Sequence, residues 1–130
     1  MNHFLLPDRA LERNDQLRYG LHAMELLINN LMSLGAQKHR LEAKIFGGAG
    51  MQRNLSGIGD ANSRFARRFL TEEGLLIVGH SLGGSAARRI RYWPTTGKAQ
   101  QMFLKGTPPC EAHQRETAIE PQGGKVEFFD

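Results

Sequence analysis

Four short stretches of the chain carry residue types able to do chemistry. Gly79-His80-Ser81-Leu82-Gly83 follows the apolar run 75–78, and Gly-x-Ser-x-Gly after a strand is the pattern of a nucleophile elbow. There a serine hydroxyl attacks a carbonyl carbon, a histidine takes its proton and a carboxylate orients the histidine. Cys110 and His113, in "PPCEAHQRE", put a thiol and an imidazole three positions apart, half of a metal site or a thiol–imidazole pair. His3, in "MNHFLLPD", is an imidazole directly before an apolar strand end, where a base facing a cleft is held rigidly. The glycines of "FGGAG", residues 46–50, are of the kind that lets a backbone approach a phosphate.

Three of these weaken when the rest of the chain is asked for partners. Elbow chemistry runs in the order serine, acid, histidine. After Ser81 the one histidine is His113, and the one carboxylate between them is Glu111, too near His113 to form that constellation. No His-Gly-Gly-Gly loop comes before the motif, and the first 74 residues hold two helices rather than several strands. Ser81 is therefore expected to sit in a strand and tight turn, and a small serine hydrolase is the least supported function. Cys110 and His113 have no second pair to complete a zinc site, and a Pro-Pro loop offers no activation for the thiol. "FGGAG" lacks the Gly-Lys-Ser/Thr ending of a phosphate loop, so close passage of backbone segments is its expected role. His22 and His39 lie on or near the first predicted helix and are expected at the surface.

The elements that position these residues follow from periodicity. "HFLLPD" reads as a strand end closed by Pro7-Asp8, and the polar stretch after it as a loop to residue 18. Over residues 19–34, Leu21, Met24, Leu27, Ile28, Leu31 and Met32 recur at three- and four-residue steps, an amphipathic helix ended by Gly35. "RLEAKIFGG" is a short strand running into glycines, and residues 56–60 are punctuation. Residues 61–70 form a second helix, with Phe65, Phe69 and Leu70 on one side, stopped near Gly74. "LLIV" is a buried strand, and two further strands meet at a hairpin turn over 94–97. After Gly106 the composition shifts to Pro, Glu, Gln and Gly, a tail or arm whose closing "KVEFF" pairs as an edge strand or docks on a partner. The order of elements makes the chain α+β.

Composition sets the outer limits. At 130 residues, 40% hydrophobic and 23% charged, the chain suits one soluble domain with a modest core. No apolar run approaches the length of a bilayer span, so no membrane insertion is expected, and no signal peptide is visible. One cysteine excludes an intrachain disulfide framework and suits a reducing cytosol, hence a cytoplasmic location. The net charge of +4 raises nucleic acid as a partner. The arginines of "RFARRF" and "AARRIRY" have no stack of aromatics between them, so a solvated basic surface and no nucleic acid is the reading adopted.

Taken in order, "MNHFLLPD", "RYGLHAMELLINNLMSLGA", "RLEAKIFGGAGM", "GIG..N", "LGG" and "PTTGK" resemble the CheD family, the chemoreceptor glutamine deamidases of bacterial chemotaxis. "LEAKIFGGAGM" is the most specific of these, the likeness covers residues 1–106, and "KVEFF" is similar to the tail ends of proteobacterial members. The resemblance implies a layered β-sandwich with helices packed against it, over a deamidase domain at 1–106 followed by an arm at 107–130. It implies a cysteine hydrolase that converts glutamines of methyl-accepting chemotaxis receptors to glutamates and releases ammonia. A CheC-type phosphatase is a further implied partner, and a thiol with an imidazole requires no cofactor and no metal.

Carried over by position, His3 falls on the family's catalytic histidine. The family's nucleophilic cysteine lies upstream of that histidine, in a Gly-Ser-Cys stretch after a catalytic threonine, and Cys110 is on the wrong side of the order to replace it. Two expectations follow. Either Met1 is internal to a longer protein, or the chain is a shortened remnant that binds receptor or CheC-type partners without catalysis. In the second case the N-terminal strands are missing, which leaves a sheet edge and apolar core unpaired, and such a fragment is expected to fold poorly. The chain also departs from the family where His80-Ser81 replace an acidic pair, where Ala61 stands in place of a common arginine, and where Ser85-Ala86 replace a frequent Asp-Arg. The first of these departures creates the elbow-like string around Ser81.

Overall fold

The apolar steps of the first half build α1, Arg13–Ser33, in a computed structural model that describes residues 1–4, 13–50, 56–104 and 125–129. The helix begins six residues before the sequence periodicity places it. The stretch read as loop contains good helix formers, and Asp15 in the first turn complements the helix dipole and lies 4.0 Å from Arg18. Its end is as expected. Gly35, at φ 99°, donates to Met32 O while Ala36 donates to Leu31 O, the paired bonds that close a helix through a left-handed residue. A 3-10 turn, Lys38–Arg40, leads into β1, Glu42–Gly47.

The second helix, α2, spans Ser56–Glu72, so residues 56–60 are its first turn and not punctuation. Two glycines in a helical turn cost about 1 kcal/mol each relative to alanine, which is why the sequence reads there as a break. Gly59 is needed for contact, because a Cβ on it would lie 2.6 Å from Gly48 O and 2.7 Å from Ala49 O. At the other end Gly74 and Leu75 donate to Thr71 O and Leu70 O, the same closure as in α1.

The strand β2, Leu76–Leu82, runs parallel to β1, and α2 makes the crossover between them. One face of this two-stranded sheet carries the core. Met24 and Ile28 of α1 meet Phe65, Phe69 and Leu70 of α2 and Leu75, with Phe4, Leu41, Ala43, Ile45 and Ile77 packed around them. The core is modest, as the composition implied. Leu17, Leu21, Leu31 and Met32 lie exposed on either side of Met24 and Ile28, and Leu76 and Val78 of the expected buried strand are also exposed. Among the described residues β1 and β2 have no third strand, so both outer edges of this sheet are unpaired.

The hairpin is formed by β3, Arg88–Trp93, and β4, Lys98–Phe103, joined through Gly97, which is at φ 70° and donates to Trp93 O. The last strand, β5, Val126–Phe129, pairs antiparallel with β4, the edge strand that "KVEFF" suggested. This three-stranded sheet lies on the face of β1–β2 that points away from the helices. Phe46 and Phe129 meet edge to face at 4.9 Å, and Lys44 Nζ bonds the carbonyls of Gly97 and Phe129. The result is helices, two-stranded sheet and three-stranded sheet in layers, the α+β layered sandwich expected from the resemblance.

One irregularity decides which side chains enter which layer. Ala43 pairs with Ile77 but Lys44 pairs with Gly79, so Val78 is an extra residue on β2. Before this bulge Ile77 points to the helices. After it Gly79 and Ser81, although in the same alternating series, turn to the second sheet, where Gly79 meets Phe129 and Ser81 meets Gln101.

Candidate functional site

His3 is exposed, yet its neighbours on both sides are anchored. Asn2 Nδ2 donates to Ala23 O on α1 at 3.1 Å, and Phe4 packs edge to face on Phe65 of α2 with centroids 5.5 Å apart. Asn2 and Phe4 are part-buried while His3 between them is exposed, so the two anchors hold His3 facing outward. The imidazole is thus free of protein hydrogen bonds among the described residues while its backbone is held over the helix pair. That is an available base or acid on a fixed support.

Ser81 is placed otherwise than an elbow requires. It lies inside β2, two residues before the glycine turn, and its Oγ accepts a hydrogen bond from Gln101 Nε2 at 2.8 Å. No histidine bonds it among the described residues, and His80 faces the other way. The serine hydrolase reading is set aside on that geometry. Cys110, Glu111 and His113 lie outside the described residues.

The "FGGAG" glycines do what close backbone passage demands. Gly47 and Gly48 end β1 with φ 121° and 68°, and Gly83 and Gly84 end β2 with φ 79° and 77°. The two turns bond to each other, Gly83 N–H to Gly47 O and Gly50 N–H to Gly84 O, both at 2.9 Å. Arg88 fastens them from the second sheet, its guanidinium donating to Gly47 O at 2.7 Å and to Gly83 O while stacked 5.1 Å over Phe103. Burial lowers its pKa from the ordinary value, partly opposed by the charge of Glu127. Between these turns and α2 opens a groove of about 460 Å³ lined by Gly48, Gly50, Asp60, Arg64, Arg67 and Gly83, among others.

Arg88 and Gln101 escaped the sequence reading. Arg88 was grouped with a solvated basic face, which holds for Arg89 and Arg91, both exposed. The available signal was the strand period, since Arg88 shares its side of β3 with the part-buried Ile90. Gln101 is fully buried and donates to both Ser81 and Glu127, linking β2, β4 and β5.

Glu127 gives that link a pH dependence. The bond from Lys125 is the main cause that holds its carboxyl below the ordinary carboxylate value, opposed by desolvation and helped by Lys125's charge, Gln101 and Arg88. A lowered folded pKa means that the stabilisation is present above the unfolded value and is lost as pH falls through the folded one. Protection of the β5 amides, corrected for the intrinsic pH dependence of exchange, is therefore expected to show a step, falling as pH drops from the ordinary carboxylate value to the lower folded one. Glu127→Gln should exchange faster at neutral pH and show no such step. A step retained in that variant would assign it to another group.

Comparison with known proteins adds an independent line. The family described as "CheD chemotactic sensory transduction" matches residues 5–102. A protein of Cereibacter sphaeroides strain ATCC 17029 is 55% identical over 130 residues, all of this chain and 65% of its own length. One of Sinorhizobium medicae strain WSM419 is 49% identical over 135 residues, 99% of this chain and 74% of its own length. A third, of Caulobacter sp. strain K31, is 46% identical over 134 residues, 99% of this chain and 71% of its own length. Each of the three is named a probable chemoreceptor glutamine deamidase CheD. The chain thus spans just under two thirds of the length of the Cereibacter relative.

Proposed function

The chain belongs to the CheD family, and from that premise we propose that it carries the histidine-bearing part of a protein-glutamine deamidase acting on methyl-accepting chemotaxis receptors. The observation that carries the reading is His3, an exposed imidazole whose flanking residues are fixed on both helices. In the reaction a thiolate adds to the side-chain carboxamide carbon of a receptor glutamine. His3 accepts the thiol proton first and returns it to the departing nitrogen, which leaves as ammonia. Water then adds to the thioester, His3 takes its proton, and glutamate is released as the thiol is regenerated. In the family pattern the thiol is that of a Gly-Ser-Cys stretch upstream of the histidine.

Among the described residues no helix is long and apolar enough to cross a membrane. Under the proposed reading the protein acts at the cytoplasmic face of receptors. A CheC-type phosphatase remains a second partner under this reading. The test uses the protein purified from its own cells, its intact mass measured, incubated with a receptor cytoplasmic fragment. We expect a mass above 14.5 kDa, ammonia release and conversion of specific glutamines to glutamates by peptide mass spectrometry. A mass of 14.5 kDa with receptor binding and no conversion would replace this reading with that of a binding remnant.

A further inference from the structure

The groove beside the glycine turns has a charge pattern that the chemistry at His3 does not use. Arg64 and Arg67 project from α2 one turn apart, on the wall of a groove whose other wall is glycine backbone and Leu82. Arg67 is exposed, and its guanidinium has no partner among the described residues. Arg64 pairs with Asp60 at 3.1 Å, with side chains 73% and 64% exposed. An i,i+4 pair that open to water is weakly held, so Arg64 can exchange Asp60 for another carboxylate at little cost. By contrast, Arg68 on the same helix is bonded to Glu72 at 2.7 Å and lies outside the groove lining. The opposite wall lacks side chains at Gly48, Gly50, Gly83 and Gly84, so an incoming chain can lie against it.

We propose that the Arg64–Arg67 groove docks an acidic helical segment of the receptor through free glutamate carboxylates spaced one turn apart. This rests on the receptor reading above and deepens it. Two guanidiniums at i,i+3 match carboxylates at i,i+3 or i,i+4 on a facing helix. Deamidation creates a glutamate, and carboxyl methylation of a methyl-accepting protein removes the charge of one. The groove therefore reads the modification state of sites near the target glutamine, binding unmodified glutamate and releasing esterified or amidated forms.

The experiment compares two forms of the receptor cytoplasmic fragment, with glutamate or with glutamine at the modifiable positions, by fluorescence anisotropy on the full-length protein carrying His3→Ala, so that the glutamine form is not converted during the titration. At low salt the glutamate form should bind about fivefold tighter, the effect of two exposed ion pairs, and the difference should shrink as salt rises. Arg64→Gln/Arg67→Gln should erase the difference, with circular dichroism confirming an unchanged fold. Should that double variant fold poorly, Arg67→Gln alone should halve the preference or better. Equal binding of the two forms, or a preference that survives in the variants, overturns the proposal, as does tighter binding of duplex DNA than of the glutamate form. Ammonia release from the glutamine form, followed in parallel with the unsubstituted full-length protein, reports separately on the deamidase reading. Release without charge preference rejects the groove alone, and charge preference without release rejects the deamidase reading alone.

Discussion

Replacing His3 with alanine should lower the rate of glutamine conversion by about 10²–10⁴-fold while leaving the melting temperature unchanged. The side chain is exposed and makes no hydrogen bond among the described residues, and substitutions at such positions usually stay within about 0.5 kcal/mol. The two quantities are measured on one preparation, ammonia release by coupled assay and unfolding by calorimetry. Asn2→Ala separates the base from its support. It removes the bond to Ala23 O at 3.1 Å and should cut the rate less than His3→Ala does, because the imidazole remains but its backbone is looser. Full activity in His3→Ala would show that another group moves the proton and would end the assignment of His3. A loss of activity with an equal loss of stability would make His3 structural.

Gly48→Ala should be among the most damaging single-methyl additions in the chain. A Cβ there would lie 1.9 Å from Ser63 Oγ and 2.7 Å from Gly59 O, and the backbone is at φ 68°. The serine hydroxyl can rotate away, but the carbonyl belongs to the first turn of α2 and moves only if the helix does. The left-handed conformation and the overpacking together predict a loss of about 2–5 kcal/mol, a large part of a typical domain's stability. Gly35→Ala is the matched control. Gly35 is also left-handed, at φ 99°, but nothing lies within 4 Å of its would-be Cβ, so only about 1–2 kcal/mol is expected. Chemical denaturation of both variants and of Gly48→Ala/Ser63→Ala distinguishes the causes. Equal losses at 35 and 48 would show that the glycine turns do not pack as described, and full rescue by Ser63→Ala would place the clash on the hydroxyl alone.

Helix closure was legible because it is local. Gly35 and Gly74 end their helices through bonds that reach no further than five residues back, so a glycine after a periodic run suffices to place them. The hairpin at 94–97 and the edge strand at the chain's end were legible for the same reason, since turn chemistry and alternation are short-range signals. The start of α2 was misread because Gly57 and Gly59 have low intrinsic propensity, and only the approach of residues 48–49 explains why a helix is kept there. Five residues around Ser81 match a nucleophile pattern, the missing acid and histidine already argue against that role in the sequence, and the strand around it shows that the pattern lacks its turn.

The string of motifs in the sequence was enough by itself to indicate the CheD family, the α+β class and the position of the candidate base, because these depend on residue identity and order. How that base is held, and what the other chemistry-bearing residues do, was decided by the tertiary structure. The extra residue at Val78 turns Ser81 toward Gln101, Arg88 leaves the basic face to hold two carbonyls 41 and 5 residues away, and Asn2 and Phe4 fasten the imidazole over two helices. Each of these contacts joins parts of the chain brought together only when three layers pack. Their free energy comes from desolvation and backbone bonds between elements, which no local pattern of residue types records.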